Sequence, residues 1–163
     1  IEHIGVAGGP IDLMTHYVAT GEFEVAISHN RFTLLNIAAS PFWDACNRHG
    51  VAAVNAAPYG GGMLAQGPDV YARYAYEDAD PKVLRRARTI HSICARHGVP
   101  LAAAALQFSL RDPRVTSTIV GIGAPHLVAE TIDLALRPIP EELWDDLTAV
   151  SPSTLDPAYG HFT

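Results

Sequence analysis

The sequence predicts an α/β protein built on a parallel sheet. Three observations carry that expectation. Short apolar runs alternate with segments of helical periodicity, each run ends in a glycine-rich or polar loop, and the helices carry start and stop signals. Four strands in this pattern fit either half of an eight-stranded barrel or a small open sheet of the flavodoxin kind. In both, ligands bind at the C-terminal ends of the strands.

Residues 2–6 (EHIGV) form the first short apolar run and deliver the chain into Ala7-Gly8-Gly9-Pro10. A helix follows, with Ile11, Leu13, Met14, Tyr17 and Val18 apolar and Gly21 as its stop. Residues 23–27 (FEVAI) are the second strand. Ser40 then reads as an N-cap, with Pro41 at the first helical position, Asp44 in the first turn and Gly50 as the stop. Residues 51–54 begin the third strand, which runs into the loop Ala56-Ala57-Pro58-Tyr59-Gly60-Gly61-Gly62. Residues 82–97 form the clearest helix, with Val83, Leu84, Ala87, Ile90 and Cys94 on one face and Gly98 after it. A helix over 101–111 stops before Pro113, residues 116–120 form the fourth strand, and Pro125 and Pro140 each open a helix. Residues 1–150 make one domain and 151–163 an irregular tail.

The composition is that of a folded domain. Of 163 residues, 48% are apolar, and 17 acids outnumber 11 bases, so nothing in the net charge attracts nucleic acid. Lys82, Arg85, Arg86, Arg88 and Arg96 cluster on one helix and read as its solvated face. No apolar run approaches the roughly 18 residues of a membrane span, and no basic segment opens the chain as in a signal peptide. Two cysteines, Cys46 and Cys94, fit a reducing compartment, and the cytoplasm is the expected location. The chain opens on Ile1 rather than Met, which leaves a fragment and a true half-barrel both open. The echo Cys46-Asn-Arg-His49-Gly50-Val51 and Cys94-Ala-Arg-His97-Gly98-Val99 reads as two helices ending alike. A metal site from these residues and His91 is the less favoured reading, because they lie in apolar-periodic helices, and no metal is expected.

The third loop carries the main chemical signal. Three glycines after a strand allow close backbone approach to a ligand and bare N–H groups for phosphate oxygens, although neither GxxxxGKS nor GxGxxG is present. A flexible connection is the competing reading of the same residues.

Taken together, five ordered blocks resemble the aldo-keto reductase superfamily. Ile4-Gly5-Val6 is similar to its IGVS strand five, and Arg31-Phe32-Thr33-Leu34-Leu35 to the YNLL segment after strand six. Residues 50–64 are similar to its GI…SPLxxGLL block, 99–113 to GVSxAQLALxWxLxxP, and Ile119-Val120-Gly121 with Glu130-Thr131 to VIPG…EN. RFTLLN, NAAPYGGGMLAQGP and ALQFSLRDPR most resemble the aldose (fucose, galactose) 1-dehydrogenases and the related pyridoxal dehydrogenase. The resemblance implies the C-terminal half, strands five to eight, of a (β/α)8 barrel. It implies hydride transfer between NAD(P) and the C1 carbon of an aldose or similar alcohol or aldehyde.

The resemblance also implies a cofactor site. Pro58, Tyr59, Gly60, Gly62 and Leu64 would wrap the pyrophosphate. Ala7 and Gly8 stand where the family has Ser-Asn, and Ser28 or His29 where it has Gln, for the nicotinamide carboxamide. Ala56 takes the place of a stacking Tyr, and Glu130 and Thr131 that of the adenine-binding Glu-Asn. Ala7, Gly8 and Ala56 are departures that remove side-chain contacts to the nicotinamide. Gly121 and Leu127 stand where NADP-preferring relatives carry bases, and no Lys or Arg lies between Arg114 and Arg137. NAD is therefore the expected cofactor and NADP the alternative.

The family's Asp, Tyr, Lys and His belong to strands two to four, so no catalytic residue is expected here and the chain alone should be inactive. A half-barrel leaves free strand edges, which calls for an N-terminal half or a second copy of the chain as partner. The rival reading is a non-catalytic truncated barrel serving as an interaction module or pseudoenzyme.

Overall fold

The computed structural model describes residues 1–157. Strand β1 (Gly5–Ala7) leads into helix α1 (Ile11–Ala19), strand β2 (Val25–His29), helix α2 (Ser40–His49) and strand β3 (Ala52–Ala56). The glycine loop makes a short turn over Gly60–Gly62 and a single helical turn α3 (Met63–Gln66), followed by a hairpin of β4 (Arg73–Tyr74) and β5 (Glu77–Asp78). Helices α4 (Pro81–Arg96) and α5 (Leu101–Leu110) precede strand β6 (Ser117–Ile119), and α6 (His126–Leu136) and α7 (Glu141–Thr148) follow it.

The main sheet has the order β1-β2-β3-β6, and every pairing in it is parallel. The order runs along the chain without reversal, so the switch point of a flavodoxin-like sheet is not what the structure shows. The four strands start three, two, one and one residues later than the apolar runs suggest, and the first three also end later. As a result Ala7 and Ala56, expected in loops, pair within the sheet as Ala7 with Ile27 and His29 with Ala56.

Successive side chains point to opposite faces of a strand, and here the two faces differ. Ala26, Ser28, Ala53 and Asn55 are buried on the helix side. There Ala26 and Ala53 pack with Met14 and Val18 of α1 and with Phe42, Trp43, Ala45 and Cys46 of α2. A second core joins Leu34, Leu35, Met63 and Leu64 to Ala87, Ile90, Ile93 and Cys94 of α4, the alanines of α5, and Leu143, Trp144 and Leu147 of α7. On the other face Gly5, Ala7, His29, Ser117 and Ile119 are exposed, and Val25, Ile27, Ala52 and Ala56 are half-buried. Val54 in the middle of β3 is the buried exception, and the rest of that face is left bare by the described residues.

Local chemistry explains the ends of the elements. Gly50 caps α2 at φ 68°, the left-handed conformation that a side chain disfavours. Ser40 is not the N-cap: Ala39 is, without a side-chain bond. Ser40 is already helical, and its Oγ accepts from Arg114 Nη1 at 3.0 Å. Asp44 likewise lies beyond the first turn and accepts from Arg114 Nη1 at 2.8 Å. This guanidinium staples α2 to the turn before β6, a tertiary contact that outweighs the capping preference. At the head of α4 a side-chain cap does form, at Asp80, whose Oδ1 accepts from Lys82 N at 2.6 Å.

The tail expected to be irregular is partly knitted in. Ser153 bridges Asn36, donating to Leu35 O at 2.9 Å and accepting from Ile37 N at 2.8 Å. The part of that expectation covering 158–163 lies outside the described residues. The basic residues of α4 stay exposed apart from half-buried Arg86. Among the described residues no helix is long and apolar enough to cross a membrane, and no group of three metal-ligating side chains gathers. Cys46 and Cys94 are buried, and burial pushes both thiols up to about 11. His97 turns its Nε2 to Asp146 at 2.8 Å.

Candidate functional site

All four main strands point the same way, so their C-terminal ends gather at one rim. Ala7 ends β1 with Gly8 next to it, His29 ends β2, Ala56 ends β3 with Pro58 just beyond, and Gly121 follows β6. The parallel register sets Ala7, Ile27 and His29 on the bare face beside Ala56 and Ile119.

Ser28 and His29 are separated by this alternation. Ser28 is fully buried on the helix side, and its Oγ has no hydrogen-bond partner. His29 stands exposed on the bare face at the rim. Partial burial and the neighbouring Arg31 charge hold its pKa below the usual histidine value, against an opposing pull from Asp156. Of the two candidates, only His29 reaches the open side. Gly8 is tight for a different reason: a Cβ there would lie 2.7 Å from Met14 Sδ.

The glycine loop folds under its own hairpin. A Cβ on Gly60 would lie 2.5 Å from Tyr74 Cε2, and Gly60 has φ 61°. Tyr74 is fixed there, its hydroxyl donating to Asn30 O at 3.0 Å and lying 3.3 Å from Thr33 Oγ1. Ala75 N donates to Gly60 O at 3.2 Å. Close approach to Tyr74 is thus a sufficient reason for glycine at 60, whether or not a phosphate also approaches. Pro58, Gly60 and Leu64 are buried, with Leu64 in the second core, so any ligand contact by Gly60 or Leu64 is through backbone.

Across the loop stands α6. Glu130 is exposed, and Thr131 donates its hydroxyl to Leu127 O at 2.6 Å. Tyr59 lies near enough that Glu130 raises its phenol pKa, after the larger effect of burial, and the Tyr59 hydroxyl has no partner. Beside them a polar cavity of about 460 Å³ is lined by Gln66, His91, Glu130, Asp133 and Arg137. A second cavity, of about 440 Å³, opens above β2 between the hairpin and the tail. Its walls include His29, Asn30, Arg31, Tyr76 and Asp156. The hairpin, Arg31 and the tail are the parts of this rim that sequence reasoning missed.

A nicotinamide dinucleotide fits the rim unequally. At the β6 end a Cβ on Gly121 or Gly123 would meet nothing within 4 Å. There α6 begins without a side-chain cap, leaving open backbone of the kind phosphates use. The unpartnered Tyr59 hydroxyl is buried near Glu130 rather than presented to that opening. At the β1–β2 end Ala7, Gly8 and Ala56 offer no polar side chain, and His29 is the exposed side chain that does.

The comparisons with known proteins agree with this architecture. The sequence profile of the aldo/keto reductase family matches residues 1–152. The chain is 32% identical over 149 residues to the D-threo-aldose 1-dehydrogenase of a Pseudomonas species, covering 90% of this chain and 45% of that protein. It is 27% identical over 148 residues to the pyridoxal 4-dehydrogenase of Microbacterium luteolum, covering 90% and 43%. An aldo-keto reductase from Bacillus halodurans, solved in its holo form, shares the fold with a TM-score of 0.73 at 16% identity, over 94% of this chain and 51% of that one. The chain therefore spans about half the length of the relatives it matches.

Proposed function

From the premise that the chain belongs to the aldo/keto reductase family, we propose that it is the C-terminal, cofactor-binding half of a (β/α)8 oxidoreductase. The observation that carries this reading is the bare face: four parallel strands in chain order, helices on one side, and two free edges. Closing such a sheet needs four more strands with helices outside, supplied by an N-terminal half or a second copy of the chain. Residues 1–150 are the half-barrel and 151–163 its tail, acting in the cytoplasm without nucleic acid or membrane as partner.

The substrate is an aldose, or a similar alcohol or aldehyde, oxidised or reduced at C1. The names of the two curated relatives support that class. NAD, with NADP as the alternative, supplies the hydride-accepting ring when bound. In this reading the backbone of Ala7, Gly8 and Ala56 borders the nicotinamide, and His29 offers its ring to the carboxamide. The backbone from Pro58 through Tyr59, Gly60 and Gly62 to Leu64 borders the pyrophosphate. Gly121, Leu127, Glu130 and Thr131 hold the adenosine end, where an exposed carboxylate and the lack of a base at Gly121 and Leu127 favour NAD over a 2′-phosphate. Proton transfer belongs to residues outside this chain.

The test is complementation. The chain is assayed for NAD reduction with a D-threo-aldose, alone and co-expressed with the strand one-to-four half of the Pseudomonas dehydrogenase. The pair should turn over and the chain alone should not, with kcat/KM higher for NAD than for NADP. Turnover by the chain alone would refute the division of labour.

A further inference from the structure

Arg31 is 2% exposed, yet it carries a charge that needs a partner. Its Nε donates to Asp156 Oδ1 at 2.9 Å and its Nη1 to His29 O at 3.1 Å. Asp156 comes from the tail, 125 residues further along the chain. The other oxygen of Asp156 accepts from Ile11 N at 3.3 Å, the first residue of the nine-residue helix α1, which has no side-chain cap of its own. One carboxylate therefore satisfies both a buried guanidinium and a helix start. Those are the two features from which proteins build sites for carboxylate and phosphate.

The tail is placed to deliver it. Besides the Ser153 bridge, Asn36 Nδ2 donates to Leu155 O at 2.8 Å, so the segment before Asp156 is held across the rim. The cavity above β2 borders this arrangement and is lined by Arg31 and Asp156 together. Asn30, 2% exposed, also lines it, and its Oδ1 has no partner among the described residues. An unpartnered buried amide oxygen accepts hydrogen bonds and so suits a hydroxyl-bearing ligand rather than an anion.

We propose that Arg31 and the start of α1 form an oxyanion site which the chain fills with its own Asp156, making Asp156 a specificity-determining residue that reserves the cavity for neutral hydroxylated ligands. The use of that cavity by substrate rests on the function proposed above; the filled oxyanion site does not. A tethered carboxylate competes at an effective concentration of about millimolar or more, so a free anion gains access only when the tether is cut or neutralised.

The experiment is a titration of the 163-residue chain with inorganic phosphate, followed by NMR at the Ile11 amide and the Arg31 Nε. Wild type is compared with Asp156→Ala, Asp156→Asn and Asp156→Glu. The alanine variant should bind phosphate at least tenfold more tightly than wild type, with the Ile11 and Arg31 signals moving together. Asp156→Glu should behave as wild type. Should the alanine variant fail to fold, Asp156→Asn, which keeps the size and loses the charge, gives the same reading. A folded variant with no gain in phosphate affinity, or shifts confined to other residues, would overturn the proposal. Neither cofactor nor turnover enters this measurement, so its failure is distinct from failure of the complementation assay.

Discussion

On one face of the sheet Ala26, Ser28, Ala53 and Asn55 are sealed under helices. One residue along the same strands, Ile27, His29 and Ala56 stay open or half-open. The sealed side is held by packing and by the donor end of one buried amide. Asn55 Nδ2 donates to Phe32 O at 2.9 Å and to Ser109 Oγ at 2.8 Å, tying β3 to the loop after β2 and to α5. The bare side has neither. Apolar surface continues from it onto both flanks, with Ile4, Leu13 and Tyr17 exposed beside β1 and Ile119, Val128, Ile132 and Leu136 beside β6. Helix α6 has no buried residue at all. The difference teaches that, among the described residues, α1 and α2 cover one face of the sheet while the opposite face and α6 have no such cover.

Substitutions should separate the two sides. The largest effect is expected at Trp43 of α2, fully buried in the core shared by α1, α2 and the sheet: Trp43→Ala should cost about 3–5 kcal/mol in denaturant unfolding. Gly60→Ala should follow at about 1–3 kcal/mol, because a left-handed backbone and the fixed Tyr74 ring both resist a Cβ. The seam from Asp112 through Arg114 to α2 gives the sealed side an acid limit. Its hydrogen bonds to Arg114 hold the Asp112 carboxyl below the usual value, against the opposing effect of burial. Its stabilisation is then fully present above the unfolded value, about 3.9, and is lost as pH falls through the folded one. Asp112→Asn should flatten the acid limb of the stability curve below about pH 4. Ile119→Ala, on the bare side, should change the stability of the chain alone by no more than about 0.5 kcal/mol. At the rim, Asp156→Asn should lower the His29 pKa further, read by NMR titration, since the carboxylate opposes the effects of burial and Arg31.

The repeating parts of this molecule were legible in the sequence. Strand direction followed from the alternation itself, strand order only from the resemblance to a barrel family, and the glycine stops at 50 and 98 both adopt the left-handed conformation. The strand ends were less legible, because Ala7 and Ala56 look the same in a loop as on a bare face. The hairpin was invisible: its turn residues Ala75 and Tyr76 sit at φ 50° and 73° without the Asn or Gly that usually signals such a turn. Ser40 misled because its partner, Arg114, is distant in sequence. The Arg31–Asp156 pair was missed for the same reason, since no local pattern links residues so far apart. The choice between Ser28 and His29 needed the register of β2 against β3.

Hydrogen exchange along the four main strands tests the central claim most directly. In the chain alone, peptides over β2 and β3 should exchange slowly, while those over β1 and β6 exchange much faster because each has a neighbour on one side only. Adding the complementary four-stranded half should slow β1 and β6 together and leave the helix layer unchanged. Equal protection of all four strands in the dilute chain, or no change at β1 and β6 in a complex that restores turnover, would contradict the claim that this sheet is half of a barrel.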